Sequence, residues 1–216
     1  MGTIFCLIGK SASGKDTLYQ ALLHKKELRL RRVVPYTTRP MRAGETDGET
    51  YFFRTEEEAR RLEEEGRIIE MRAYATVHGI WKYFTADDGQ ICLEESDYLL
   101  IGTLEAYEML RGFFGTGRVC PLYLWVDDGV RLERALMRER AQSAPKYAEM
   151  CRRFLADEED FSEEKLHSAG IRMRFENREE AETVREISRY IAAVQKAGPI
   201  HKEEGQLSAA AHPGRN

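Results

Sequence analysis

Cysteine is sparse in this chain and unpatterned. Cys6, Cys92, Cys120 and Cys151 form no CxxC pair and no metal-ligand spacing, which argues against a zinc module and against a disulfide scaffold. Cys6 and Cys120 lie in apolar runs, which predicts buried thiols. No stretch approaches the ~20 apolar residues of a membrane span. The first apolar run is too short for the core of a signal peptide, so the expectation is a cytoplasmic setting with reduced thiols and no membrane partner. Neither sign of charge dominates: 33 Lys and Arg against 37 Asp and Glu leave −4, giving no general electrostatic case for nucleic acid. Internal repeats are missing. Prolines number six in 216 residues, so each of them marks a specific break in helix or strand.

What is present suits one α/β domain with room for a small inserted lobe: 216 residues, 42% of them hydrophobic. The most informative stretch is Gly9-Lys10-Ser11-Ala12-Ser13-Gly14-Lys15-Asp16-Thr17. It follows the apolar run Ile4–Ile8 and precedes helical spacing at Leu18, Ala21 and Leu22. Strand, glycine-bounded turn and helix are the context that a phosphate-binding loop requires. Glycines let the backbone curl and aim its N–H groups inward, and the new helix adds the positive end of its dipole. Lys15 then supplies a full charge near the outer phosphates, and Thr17 with Asp16 is within reach of a magnesium ion. Asp16 stands where this motif ordinarily has Ser or Thr.

Further along, residues 15–26 are predicted as a helix and Val33-Val34 as a short strand ended by Pro35. Pro40 forbids helix around it, so Tyr36–Arg42 is predicted as an exposed, semi-rigid loop carrying Arg39 and Arg42. Two guanidinium groups on one rigid loop suit a phosphate or carboxylate; taken alone, a solvated basic loop fits equally well. Gly44–Gly48 is a turn leading into the short aromatic strand Thr50–Phe53, from which Tyr51 adds a phenol or simply packs.

Tyr36-Thr37-Thr38-Arg39-Pro40-Met41-Arg42-Ala43-Gly44-Glu45-Thr46-Asp47-Gly48-Glu49-Thr50-Tyr51-Phe52 resembles the guanylate kinase signature T-T-R-x-x-R-x-G-E-x-x-G-x-x-Y-x-F. With the loop before it, the resemblance covers about the first quarter of the chain. It implies a P-loop NTPase fold: an α/β parallel sheet flanked by helices, with a small monophosphate-binding lobe and a helical lid. It also implies that Arg39, Arg42 and Tyr51 hold the phosphate of GMP. Ile68-Ile69-Glu70-Met71 resembles the family's F-I-E-W strand, which makes Glu70 the base-reading carboxylate. The family then carries Y-G-T or Y-G-S, whereas this chain reads His78-Gly79-Ile80-Trp81-Lys82-Tyr83. Trp81 or Tyr83 is the candidate replacement for that tyrosine, and Lys82 a candidate donor to a base carbonyl. Pro35 stands where a family serine touches the base, and Leu100-Ile101-Gly102-Thr103-Leu104-Glu105-Ala106 where the family has a pattern like L-D-I-D-x-Q-G, its aspartates missing, so Asp16 becomes a candidate relocated carboxylate.

Helices are expected over 55–65, with Thr55 and Glu58 as a capping box, over 105–112, after Asp127-Asp128, and over 179–196. Strands are expected at 98–102, 119–126 and 171–177; near-continuous apolar strands alternating with helices are the parallel-sheet pattern. Arg138–Arg153, broken at Ser143-Ala144-Pro145, resembles the arginine-bearing lid of nucleoside monophosphate kinases. Without that resemblance, a charged helix pair with i,i+4 ion pairs would explain it better. The lid assignment takes Arg140 and Arg152, with Arg138 and Arg153 as register alternatives. Asn177 matches the V-x-N-D asparagine that the family places near the adenine of ATP.

The expected organisation is a guanylate kinase-like domain over 1–196, with a monophosphate lobe at 33–85, a lid at 138–160 and a disordered tail at 197–216. The expected activity is ATP- and Mg2+-dependent phosphorylation of a nucleoside monophosphate, GMP first, with Lys15, Arg140 and Arg152 catalytic. The alternatives are a kinase for another (deoxy)nucleoside monophosphate, or a guanylate kinase-like module that binds without turnover. The departures at Pro35, Gly79–Tyr83 and Thr103 leave base preference open.

Overall fold

Five apolar residues in succession leave no polar face, so the strand they form has to be covered on both sides. In the computed structural model, which describes residues 2–42, 44–76 and 79–198, β1 (Ile4–Ile8) is wholly buried. It is the middle of a five-stranded parallel sheet. On one side lie β7 (Asp97–Ile101) and, at the edge, β2 (Leu30–Arg32); on the other lie β8 (Val119–Trp125) and β9 (Phe175–Glu176). Strand alternation splits the core. Ile4, Cys6 and Ile8 pack with Tyr98, Leu100, Tyr107 and Leu110 on the face covered by α3 (Leu104–Phe114). Phe5 and Leu7 pack with Leu18, Leu22, Leu99, Ile187 and Ile191 under α1 (Lys15–Leu23) and α7 (Glu180–Ala197).

A second sheet of four strands, in the order β4 (Phe52–Phe53), β3 (Tyr36–Thr37), β6 (Gly79–Ala86), β5 (Ile68–Thr76), stands beside the first. β6 runs antiparallel to both of its neighbours, while β3 and β4 are parallel. Its own small core is Tyr36, Ala59, Phe84 and Ala86, closed by α2 (Glu56–Glu64). The capping box of α2 is formed as the sequence predicts, with Thr55 and Glu58 exchanging hydrogen bonds. Two charged helices, α4 (Asp128–Arg140) and α5 (Tyr147–Asp160), pack on each other, and a short α6 (Glu163–Ser168) follows.

Several sequence expectations shift. Val33 and Val34 are buried but lie beyond β2; the edge pairing with β7 uses Leu30–Arg32 instead. The first helix ends at Leu23, and Lys25 and Lys26 fall at a 3-10 turn that brings Leu28 into the core. The last strand is only Phe175–Glu176, because α6 and the turn after it occupy part of the preceding chain. β6 and α6 were not anticipated; Ser162 caps α6 by accepting from the Lys165 N–H. Residues 199–216 of the expected tail, and His78, lie outside the described residues.

Gly102, just past β7, sits tight against the core. A Cβ there would sit 2.9 Å from Cys6 Sγ, a contact that the packed core has no space to absorb. Gly102→Ala should cost about 1–3 kcal/mol through overpacking. In combination with Cys6→Ala, urea unfolding should show a total cost smaller than the sum of the two single changes.

Candidate active site

The turn from β1 into α1 is built as a cradle. Gly14 adopts φ 92°, and a Cβ on it would stand 2.6 Å from Asn177 Nδ2, so only glycine fits there. Ala12 holds a left-handed φ of 61° without being glycine, a local strain of the kind that accumulates in ligand loops. No side chain caps the N-terminus of α1, which leaves its first N–H groups directed at the loop mouth. Lys15 folds back over the loop, its Nζ donating to the carbonyl oxygens of Gly9 at 2.6 Å and Lys10 at 2.9 Å. Desolvation lowers its pKa to about 8, against the opposing pull of Asp157 and Asp16. The Ser13 hydroxyl is buried and has no hydrogen-bond partner among the described residues.

Helices α4 and α5 are latched onto this loop through Arg131, whose side chain is 1% exposed. Its guanidinium donates to the Ser11 carbonyl at 3.0 Å, to Asp157 at 3.0 Å, to Glu158 at 3.0 Å and to Asp128. Asp157 in turn accepts the Ser11 N–H at 2.7 Å, and Lys10 pairs with Glu158 at 2.6 Å. Of the lid arginines, Arg153 reaches the loop, donating to Ser11 Oγ at 3.1 Å. Arg152 does not: it is 62% exposed and engaged by Glu149 on its own helix. Arg140 is exposed at the end of α4, and Arg138 is also exposed. Asn177 is 5% exposed and donates to the Ser13 carbonyl at 2.8 Å, so it props the loop from beneath.

Between this cradle and the second sheet lies a cleft of about 470 Å³. Asp16, Tyr19 and Gln20 of α1 form one wall. Tyr51, Glu70, Arg72, Tyr83 and Thr85 form the opposite wall, and the floor includes Ile101 and Gly102 at the end of β7. Tyr83, rather than Trp81, is the aromatic that lines it. Lys82 points to the other face of β6, where it pairs with Glu56 at 3.2 Å. Thr103 is spent capping α3 through the Ala106 N–H.

Glu70 is 3% exposed and already engaged. Arg72 Nε donates to its Oε2 at 3.1 Å and Arg72 Nη2 to its Oε1 at 3.4 Å, while Thr85 Oγ1 donates to Oε1 at 2.8 Å. Arg72 was missed by sequence reasoning, although its place two residues beyond Glu70 on a strand puts both side chains on one face. Arg39 and Arg42 do not open into the cleft as the sequence led one to expect. Arg39 is 4% exposed, forms a forked ion pair with Glu45 at 2.7 and 2.5 Å, and lies beneath the rings of Tyr51 and Phe53. The Arg39 guanidinium holds the Glu45 carboxyl down at about 2, so this pair stays charged at any ordinary pH. Its link to the cleft is the Tyr51 ring, which stacks on the guanidinium and lines the cavity. Arg42 is exposed, and its backbone N–H is fixed by Glu45 at 2.8 Å.

A phosphate cradle leaving the central strand of a parallel sheet, with arginine-bearing helices docked on it and a second sheet facing it, defines a P-loop NTPase fold. A solved guanylate kinase from Anaplasma phagocytophilum superposes with a TM-score of 0.60 at 22% identity, over 89% of this chain and 85% of that one. The Guanylate kinase family pattern matches residues 1–80. Guanylate kinase from Caldanaerobacter subterraneus subsp. tengcongensis is 41% identical over 85 residues, 38% of this chain and 40% of the relative. That of Oleidesulfovibrio alaskensis is 36% identical over 137 residues, 62% of this chain and 63% of the relative. The similarity to the guanylate kinase family is thus carried by the N-terminal part of the chain, and the aligned stretches span less than two thirds of these two relatives. No helix among the described residues is long and apolar enough to cross a membrane.

The Lys15 ammonium gives the loop a pH signature. Above pH about 8 the empty loop loses that charge, and an incoming triphosphate has to restore it by taking up a proton. Affinity for a non-hydrolysable ATP analogue should therefore fall as pH rises, by about tenfold between pH 7.5 and 9.5. Calorimetry should show net proton uptake over that range, and Lys15→Met should abolish both effects.

Proposed function

We propose that the chain transfers the γ-phosphoryl group of ATP to a nucleoside monophosphate, with GMP the first choice. The observation that carries this is the cleft itself: a cavity of about 470 Å³ with the phosphate cradle's helix on one wall and Tyr51 and Glu70 on the other. It is large enough for a nucleotide and lies beside the loop. In this reading ATP lies along Gly9–Thr17, and the unpartnered Ser13 hydroxyl and the open helix N-terminus supply donors to its phosphates. The acceptor phosphate is held by Arg42 and Tyr51, with Arg39 acting from behind the rings as a buried cation. Arg153 takes the lid role in place of Arg152, since it is already turned toward Ser11. Catalysis is alignment plus charge neutralisation, and no covalent intermediate on the protein is required.

The residues also suit a magnesium ion. Asp16 and Thr17 are both exposed on the first turn of α1 and offer two oxygen donors beside the loop. No group of three or more His, Cys, Asp or Glu that could cage a metal occurs among the described residues. Magnesium ordinarily takes one or two protein oxygens and completes its shell with water and phosphate. When bound it neutralises charge on the transferring phosphates. The work assigned to Asp16 is to anchor that charge from the α1 side, because the end of β7, Leu99-Leu100-Ile101, has no carboxylate.

A binding-only reading has one observation in its favour, the forked Arg39–Glu45 pair that an incoming phosphate would have to compete with. A coupled ADP-release assay across GMP, dGMP, AMP, CMP and UMP separates the two. ATP-dependent turnover with one of them is expected; binding of GMP with no turnover of any substrate would support the module reading. Asp16→Ala should lower turnover at least about tenfold and raise the magnesium concentration needed for half-maximal rate. An unchanged magnesium dependence would remove Asp16 from the metal site.

A further inference from the structure

Glu70 and Arg72 form a composite edge in the cleft, and its hydrogen-bonding capacity can be counted. A carboxylate offers about four acceptor sites, two on each oxygen. Oε1 is filled by Thr85 Oγ1 and Arg72 Nη2, while Oε2 receives only Arg72 Nε. One acceptor site therefore remains, on Oε2. The Arg72 guanidinium meets Glu70 through its Nε and Nη2 atoms, which leaves the Nη1 donors outside the pair. Both side chains line the cleft, Arg72 at 17% exposure and Glu70 at 3%. The wall thus presents one acceptor next to one donor, both held rigid by a buried ion pair.

We propose that Arg72 is a second base-reading residue, and that with Glu70 it selects the class of 6-oxopurine monophosphates without distinguishing guanine from hypoxanthine. The proposal rests on the kinase reading above and specifies the base it takes. A 6-oxopurine shows a carbonyl beside a ring N–H: Arg72 donates to the carbonyl and Glu70 Oε2 accepts the N–H. Adenine shows an amino group beside an unprotonated ring nitrogen, donor and acceptor reversed, so it leaves both protein groups facing their own kind. The 2-amino group that separates guanine from hypoxanthine finds no acceptor left on Glu70.

The test compares GMP, IMP, AMP and 6-thio-GMP as acceptors for the wild-type protein and for Arg72→Met. In 6-thio-GMP the carbonyl oxygen is replaced by a weak acceptor while the ring N–H and 2-amino group stay. For the wild type, kcat/KM for IMP should lie within about fivefold of GMP, AMP should be at least about a hundredfold lower, and 6-thio-GMP about tenfold lower. Arg72→Met should raise KM for GMP and erase the difference between GMP and 6-thio-GMP. The double variant Glu70→Gln/Arg72→Met removes both buried charges together, so a folding failure of the single variant does not block the test; it should bind monophosphates without preference among bases. IMP a hundredfold worse than GMP would overturn the proposal. So would an equal loss for GMP and 6-thio-GMP in Arg72→Met, which is what a residue that only orients Glu70 would give. If the wild type phosphorylates nothing, the kinase reading fails, and the same comparisons by calorimetric binding decide the base reading separately. Absence of binding to any of the four overturns it too.

Discussion

A guanidinium held almost out of water is the constraint around which the active face is assembled. Arg131 cannot leave water without partners, because an unpaired buried charge costs several kcal/mol. Its partners are Asp128 on its own helix, Asp157 and Glu158 on α5, and the Ser11 carbonyl in the loop. Asp157 closes the circuit by accepting the Ser11 N–H. Ser11 is thereby held at both its carbonyl and its N–H by the charged helices, and Phe154 stacks on the guanidinium from α5. The loop's shape and the docking of α4 and α5 are one structural fact, and that is how Arg153 comes to lie at the mouth of the cradle.

The acceptor side follows the same rule with different residues. Arg39 is paired with Glu45 and Glu70 with Arg72, so both buried charges of the second sheet are neutralised in place. Pairing of this kind fixes side chains with little net gain in stability. What it supplies is preorganisation: Glu45 also sets the Arg42 backbone, and the stacking of Tyr51 on Arg39 joins the arginine loop to the wall of the cleft. The proposed phosphoryl transfer, working mainly by alignment, would depend on such fixed groups.

What the sequence made legible was whatever is local. The cradle, the capping box at Thr55 and the apolar strands β1, β7 and β8 each depend on contiguous residues, and each is found close to where expected. What stayed hidden was phase and pairing. Arg152 and Arg153 are adjacent and identical in type, yet on a helix they diverge by about 100°, and only the packing of α5 on the loop turns the second one inward. Lys82 and Tyr83 are separated by strand alternation, whose register against β5 the spacing alone does not define. The resemblance to the family's V-x-N-D assigns Asn177 to the adenine, and it does not foretell that Asn177 also holds a loop carbonyl 164 residues away in sequence.

The central claim is that a phosphoryl group crosses from the cradle at Gly9–Thr17 to an acceptor lying between Tyr51 and Glu70. Its most direct measurement is a single-turnover reaction with ATP labelled in the γ-phosphate, an excess of protein and unlabelled GMP. The account predicts that the label leaves ATP and is recovered in GDP, with little in inorganic phosphate. Label that remains in ATP, or that is released only as inorganic phosphate, would contradict it.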